Sequence, residues 1–384
     1  GDDAGGHGAG GGPGRGVGDV DALALAEEVE EVTLGQDAGA LPPRDWHDPY
    51  GWVRAASGER ERNMRKEAAA MTLAACRLGH YTLQGRRVDL FGVRDLPRAT
   101  RLISARDVPD FASWRCTEST AWRTHPRGQA VEVAIELSGK TKVCLVSDAA
   151  PYRAGGSFLS GGPHDEEESL CTRSTLYMSL AAAKAEARRQ RLAPPPKAVR
   201  ASPRADGADW ACHIPRDGVV LSPDVEIMRG GVAAGYRFGS QPVVLAAVVS
   251  VGMPNGNAQA ADAPEDRPTS PEEYRRVLRR KFVALLGAAY IVGAAAVVIP
   301  DVGCGKALNA PSEVGHALGE VFRESFDGVF QEIHLVGSDA FCRACRAAGV
   351  SRAVGEKGAP MAAPPLPLPR DGQAGGRAGG HAGG

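Results

Sequence analysis

Unbroken apolar runs separated by helical stretches constrain this chain most. Val143-Cys-Leu-Val146, Val243-Val-Leu-Ala-Ala-Val-Val249 and Ala294-Ala-Ala-Val-Val-Ile299 are apolar at every position, and Gln331 to Val336 reads as a final strand. Runs of this length, apolar throughout, are strands covered on both faces. Helical patterns fill the intervals. One helix is expected from near Ser169. A second begins at Ser270-Pro271-Glu272-Glu273, a capping box with proline at the first helical position, and carries Tyr274, Val277, Leu278, Phe282, Leu285 and Leu286 on one stripe. A third places Val314, Ala317, Leu318, Val321 and Phe322 together. Strands buried on both faces and alternating with helices predict a three-layer α/β/α domain with a mixed sheet, running from about Ala130 to Val336.

The N-terminal part reads differently. A short acidic helix is expected over Asp21–Glu31, then a connector from Leu41 to Val53. Strong helix formers fill Ser57 to Leu78, with Gly79 at the C-cap position. Tyr81 to Leu90 alternates around Gly85 and predicts a hairpin. The chain holds 49 Gly and 27 Pro in 384 residues, concentrated at its ends. Those ends lack the apolar surface that would offset their ordering entropy. The expected organisation is therefore a disordered Gly-rich segment 1–20, a mainly helical accessory region 21–129, the α/β domain 130–350 with a flexible insertion at 188–207, and a disordered tail 351–384.

Charge and cysteines narrow the classes of function. The net charge is −1, from 45 basic and 46 acidic residues. That balance lacks the basic footprint of a duplex-binding protein, so sequence-specific nucleic-acid binding is not expected. No apolar stretch reaches the roughly 18 residues of a membrane span, and membrane binding is not expected. Neither a charged n-region nor an apolar h-region opens the sequence. Eight scattered cysteines read as reduced thiols. A cytoplasmic or nuclear, non-secreted monomer is the expectation. Cys342-x-x-Cys345 has metal-like spacing but no second pair, so two helical cysteines are expected, with no metal and no cofactor.

Twice a buried strand leads through a glycine loop into a helix, at Gly155-Gly156 and at Gly303-x-Gly305. Such loops aim backbone N–H groups and a helix N-terminus at one point, which suits a phosphate. In a chain this rich in glycine about six Gly-Gly pairs arise by chance, so one pair alone signals nothing. Neither loop is a Walker loop or G-x-G-x-x-G. Directly after the first loop comes Asp165-Glu166-Glu167-Glu168. Acidic residues favour a helix start for dipole reasons alone. Beside an anion site, mutual repulsion would also raise at least one carboxyl toward the range of a general acid that releases a sugar. Both readings stand on these residues.

The segment Ala154-Gly-Gly-Ser-Phe-Leu-Ser-Gly-Gly-Pro-His-Asp-Glu-Glu-Glu-Ser-Leu-Cys-Thr-Arg-Ser-Thr-Leu-Tyr177 resembles the signature of the microbial-type poly(ADP-ribose) glycohydrolases, a family with a macrodomain-like fold. Arg65-Lys-Glu67, Gly79 to Leu83, Ser222 to Glu226, Val249 to Asn255, and Gly303-Cys304-Gly305 with Asn309 and Pro311 extend the resemblance in the family's order. It implies an ADP-ribose pocket. Gly155, Gly156, Ser157 and Phe158 would wrap the distal ribose, with Gly303, Cys304, Gly305, Lys306 and Asn309 cradling the diphosphate. Anchored on Ser169-Leu170-Cys171, the signature glutamates are Glu168, which would protonate the departing ribose 2′ oxygen and then deprotonate water, and Glu167, which would hold ribose hydroxyls. Anchored on the glycines, they become Glu166 and Glu167; the family's glutamine is replaced by Glu166 in the first register and by Asp165 in the second. The chain departs from the family at Arg153, at Ser157 in place of a third glycine, and at Ala307 in place of an aromatic that stacks on adenine.

The resemblance implies hydrolysis of ADP-ribose O-glycosidic bonds, with ADP-ribose or poly(ADP-ribose) on modified proteins as partner. The alternative is an ADP-ribose-binding macrodomain module with weak or no catalysis, and a third reading is a degenerate scaffold. His164 is expected in a solvated loop, His316 and His334 on ordinary polar faces, and Trp46, Trp52, Trp114, Trp122 and Trp210 as packing residues.

Overall fold

The computed structural model describes residues 59–109, 119–126, 128–162, 165–194, 198, 210–231, 234–260 and 262–350. The expected disordered ends, the helix at 21–31, the connector, most of the 188–207 insertion, His164, Trp46, Trp52 and Trp114 lie outside the described residues.

Helix α1 (Glu59–Leu78) is followed by the hairpin β1 (His80–Leu83) and β2 (Arg86–Asp89), as the sequence predicts. Gly79 closes the helix at φ +72°, a conformation open to glycine at little cost. The chain continues through α2 (Leu96–Ala99), β3 (Arg101–Ser104), β4 (Ala121–His125), α3 (Ala130–Ser138) and β5 (Val143–Asp148). Then come α4 (Glu166–Arg173), α5 (Leu176–Arg189), β6 (Gly218–Arg229), β7 (Phe238–Val251) and α6 (Pro271–Ile291). The last elements are β8 (Ala296–Pro300), α7 (Pro311–Val321), β9 (Glu332–Val336) and α8 (Asp339–Gly349).

Seven strands form one sheet in the order β3-β6-β7-β5-β8-β9-β4. It is parallel from β7 through β4, and antiparallel where β6 meets β3 and β7. Alternate residues of each central strand enter opposite cores. Cys144, Val146, Val297 and Ile299 pack under α6, α7 and α8, whereas Val143, Leu145, Ala296 and Val298 pack under α1, α3, α4 and α5. The three-layer α/β architecture read from the sequence is therefore the fold.

Two details differ from the sequence reading. β3 and β4, which fall on the accessory side of the 129/130 division, form both edges of the main sheet. Both are short and flanked by turns, so periodicity alone leaves little signal for them. The helix expected from near Ser169 begins three residues earlier at Glu166 and is broken at Ser174, whose backbone is extended and bridges to Ile227. The Ser174 hydroxyl donates to the Leu170 carbonyl, closing the first helix.

Helix α1 braces the first glycine loop. Arg62 Nε donates to the Ser160 carbonyl at 3.0 Å, Arg65 Nε to that of Gly161 at 2.9 Å, and the Thr72 hydroxyl to that of Thr172 at 2.6 Å. At Gly161 a Cβ would run into the Arg62 carbonyl, so the helix backbone lies directly on the loop. Cys342 and Cys345 face the core from α8, and Trp122 packs edge-on against Phe322 at 4.6 Å. His316 is exposed as expected, within 3.3 Å of Glu320. His334 is not on an ordinary polar face. It is buried, its Nδ1 is 3.0 Å from His125 Nε2, and its Nε2 is 2.9 Å from Glu332. No helix among the described residues is long and apolar enough to cross a membrane.

Candidate active site

β5 ends at Asp148, and the chain runs through the first glycine loop into α4, whose opening turn is Glu166-Glu167-Glu168. Gly155 and Gly156 take φ of +70° and +56°. Their loop grips the glutamates. Ala150 N–H donates to Glu167 Oε2 at 2.8 Å, and Gly155 N–H to Glu167 Oε1 at 3.0 Å. Ser157 gives its N–H at 2.8 Å and its hydroxyl at 3.0 Å to Glu168 Oε1. Of the N–H groups that the sequence reading aims at a phosphate, that of Gly155 is thus held by Glu167 and that of Gly156 by the Arg153 carbonyl at 2.9 Å, because the loop folds back over the helix start. Glu168 Oε2 accepts no hydrogen bond among the described residues.

Ser157, standing where the family has a third glycine, sits at φ −93°, which any L-residue adopts without strain. Its side chain fits because residue 162 is glycine, where a Cβ would overlap the Ser157 hydroxyl. Arg153 is exposed and reaches Ser160 at 3.4 Å. Phe158, expected at the ribose, is wholly buried in the core with its ring 5.2 Å from that of Tyr177, a wedge beneath the loop.

The second loop leaves β8. Gly303, at φ +71°, donates its N–H to Asp148 Oδ2 at 2.9 Å, tying the second loop to the end of the strand that feeds the first. Asn309 is buried behind the loop. Its amide donates to the carbonyls of Pro254 at 2.9 Å and Gly303 at 3.0 Å, while the Tyr274 hydroxyl donates to its Oδ1 at 2.7 Å. Asn309 therefore shapes the loop from behind instead of pointing into it. Cys304 is half-buried with its thiol toward the Val302 carbonyl, and burial pushes that thiol up to about 12. At Gly305 a Cβ would meet nothing within 4 Å. Lys306 Nζ bonds Asp262 at 2.5 Å.

Between the loops lies a cavity of about 230 Å³. Glu166, Glu167, Glu168, Gly305 and Lys306 line it, joined by Ala307. Gly155, Gly156, Ser157, Phe158, Gly303, Cys304 and Asn309 stand behind its walls. Among the acidic lining residues, two escape the sequence reading, Asp148 and Asp262. Asp148 carried one signal, a carboxylate at the carboxyl end of a buried strand, where open α/β sheets place their ligands. Asp262 sits in a loop without a motif.

The electrostatics are those of crowded acids. Burial raises Asp148 to about 7, against the pull of the Gly303 N–H, and Asp301 and Asp165 add to the rise. Burial, with Asp148 and Asp301 nearby, lifts Glu166 well above the usual carboxylate range, and its buried Oε1 has no hydrogen-bond partner among the described residues. Burial likewise lifts Glu167, opposed by the Ala150 N–H. Burial works against the Lys306 charge, but Asp262 outweighs it and the amine is raised. Burial and mutual repulsion thus favour the protonated forms of these carboxyls.

Similarity to known proteins gives the class, a glycosidase-type hydrolase. Residues 69–230 match the family described as the microbial-type PARG catalytic domain. A poly(ADP-ribose) glycohydrolase from Thermomonospora curvata is similar over 74% of this chain and 99% of its own, with 25% identity and a TM-score of 0.56. The same enzyme bound to the inhibitor ADP-HPD gives 26% identity, coverage of 75% and 98%, and a TM-score of 0.55. A poly(ADP-ribose) glycohydrolase mutant from Deinococcus radiodurans in complex with ADP-ribose shares the fold at 22% identity and a TM-score of 0.50, over 67% of this chain and 96% of its own. No curated protein matches the sequence.

Proposed function

We propose that this protein hydrolyses the ribose–ribose O-glycosidic bond of ADP-ribose polymers, with Glu168 as general acid and then general base. The observation that carries this reading is the asymmetry of Glu168. One oxygen is fixed by both donors of Ser157, while the other accepts nothing among the described residues and Glu168 lines the cavity. A side chain positioned through one oxygen and available through the other suits proton transfer at a defined point. Glu167 has both oxygens taken by backbone N–H groups, which suits a positioning role toward ribose hydroxyls. In the first step the proton on Glu168 Oε2 goes to the departing 2′ oxygen as the bond to the ribose anomeric carbon breaks. In the second, the carboxylate takes a proton from the water that adds to that carbon. Gly305, whose outer side is open, and Lys306 would face the diphosphate.

The test is ADP-ribose release from automodified polymer by the wild type and by Glu168→Gln. Glutamine keeps an oxygen for Ser157 but cannot transfer a proton, so a rate loss of about 10²-fold or more is expected. Equal rates would remove Glu168 from the mechanism. A second reading, an ADP-ribose-binding module with little turnover, is favoured by Ala307, which leaves the cavity wall without an aromatic ring. Tight ADP-ribose binding with no release by the wild type would establish it.

A further inference from the structure

The acidic helix expected near the start of the chain has no place in the catalytic reading. Residues 19–32 carry Asp19, Asp21, Glu27, Glu28, Glu30 and Glu31, with no Lys, Arg or His among them. At helical spacing Ala22, Leu25, Ala26, Val29 and Val32 fall on one stripe. Carboxylates flank that stripe on both sides, Asp21 and Glu28 on one and Asp19 and Glu30 on the other. A helix this short is marginal by itself, so the pattern calls for a partner surface.

A surface of matching form lies on α6. A hollow of about 460 Å³ on its outer face is lined by the apolar Ala105 and Val283 and by Arg275, Arg276, Arg279 and Arg280. Arg275, Arg276 and Arg280 are exposed. Arg275 and Arg279, like Arg276 and Arg280, are equal charges one helical turn apart, which weakens a helix unless anions oppose them. The acids nearby are shared. Glu273 is divided between Arg276 at 3.0 Å and Arg216 at 3.8 Å, and Glu324 between Arg279 and Arg323, the latter at 3.9 Å. Glu320 lies 3.5 Å from Arg279 and 3.3 Å from His316. Glu272, the one carboxylate lining the hollow, takes the Ser270 hydroxyl at 2.7 Å and stands near Arg275 without pairing to it. Arg275 and Arg280 have no carboxylate in ion-pair range among the described residues.

We infer that residues 19–32 of this same chain dock as a helix in the hollow on α6. The apolar stripe meets Ala105, Val283 and the arginine stems, and the flanking carboxylates meet Arg275 and Arg280. Charge complementarity selects this occupant, and the chain is long enough to deliver it. Residues 33–58 separate the segment from the start of α1 at Glu59, and a flexible chain of that length spans about 30 Å, the width of a small domain. The docking is independent of the catalytic reading.

Amide hydrogen exchange of the full chain, read on peptides covering 19–32 and 271–283, tests it. At low salt the amides of 19–32 are expected to exchange at least about tenfold more slowly than an unstructured chain. Most of that protection should go at roughly 1 M salt, where charge pairs are screened. Arg275→Glu combined with Arg280→Glu should abolish it while 271–283 stays protected. Glu28→Lys combined with Glu30→Lys, which leaves α6 untouched, should abolish it too, and reports alone if the α6 variant does not fold. Joining the two pairs of reversals in one chain should restore it. Exchange of 19–32 at the unstructured rate in the wild type overturns the inference, as does protection that survives either reversal. Protection that rises with protein concentration would seat the segment on a second copy and overturns docking within one chain.

Discussion

The carboxylate of Glu168 occupies the space that a Cβ on Gly156 would need, because that carbon would overlap Oε1. Gly156 also sits at φ +56°, so geometry and contact both demand glycine there. The loop's second glycine is thus fitted to the catalytic candidate itself, and the close approach it permits is that of a glutamate.

Gly156→Ala is therefore expected to displace Glu168, cut glycohydrolase activity by at least about tenfold, and cost about 1–3 kcal/mol of stability. Gly305→Ala, with open space around the new methyl, should leave the melting temperature nearly unchanged. Thermal melts beside polymer turnover check both. An active, stable Gly156→Ala would show that the loop relaxes around the new side chain.

The layers of the fold were legible because β5, β7 and β8 each contain an unbroken apolar run, the pattern of strands buried on both faces. The acidic run was legible as a helix start, and the resemblance picked out the same segment. What the sequence could not carry was direction. Phe158 follows the glycines in the signature, yet it turns into the core against Tyr177. Asn309 turns behind its loop to meet Tyr274, a residue 35 positions away. Asp148 was hidden because its role depends on Gly303, 155 residues along the chain. Contacts of that span are set by the order of strands in the sheet, which local periodicity does not encode.

Asp148 makes folding stability depend on pH. Its native pKa stands near 7 against 3.8 for the free side chain, so the native state binds the extra proton between those values. The contribution of the protonated form is complete below about pH 4 and is lost as pH rises through 7, on the order of 4 kcal/mol in all. Asp148→Asn keeps an oxygen for the Gly303 N–H and removes the titration. Its denaturation midpoint should change less between pH 5 and pH 8 than that of the wild type. Parallel pH profiles would mean that Asp148 stays ionised throughout.

Asn309 satisfies three buried groups of the second loop at once, the carbonyls of Gly303 and Pro254 and the Tyr274 hydroxyl. Asn309→Ala strands all three, and buried polar groups without partners cost about 1–3 kcal/mol each, reduced where water enters. A loss of about 2–4 kcal/mol in urea unfolding is expected, with weaker ADP-ribose binding because Gly303 to Ala307 lose their support. Unchanged stability would mean that Asn309 does not hold this loop.

Ala307 lines the cavity where the family places an aromatic ring, and the next residue, Leu308, is exposed at φ +56°. The loop therefore presents a small methyl toward the cavity and leaves room on that wall. A ring placed there would stack on a purine, and aromatic pairs are worth about 0.5–1.5 kcal/mol beyond simple burial. Ala307→Phe should strengthen ADP-ribose binding about fivefold by calorimetry, since about 1 kcal/mol corresponds to that factor. The effect should be absent for ribose 5-phosphate, which has no base. If ADP-ribose binds no better, or if ribose 5-phosphate gains equally, the base does not lie against this residue, and the adenosine must be held by another part of the wall.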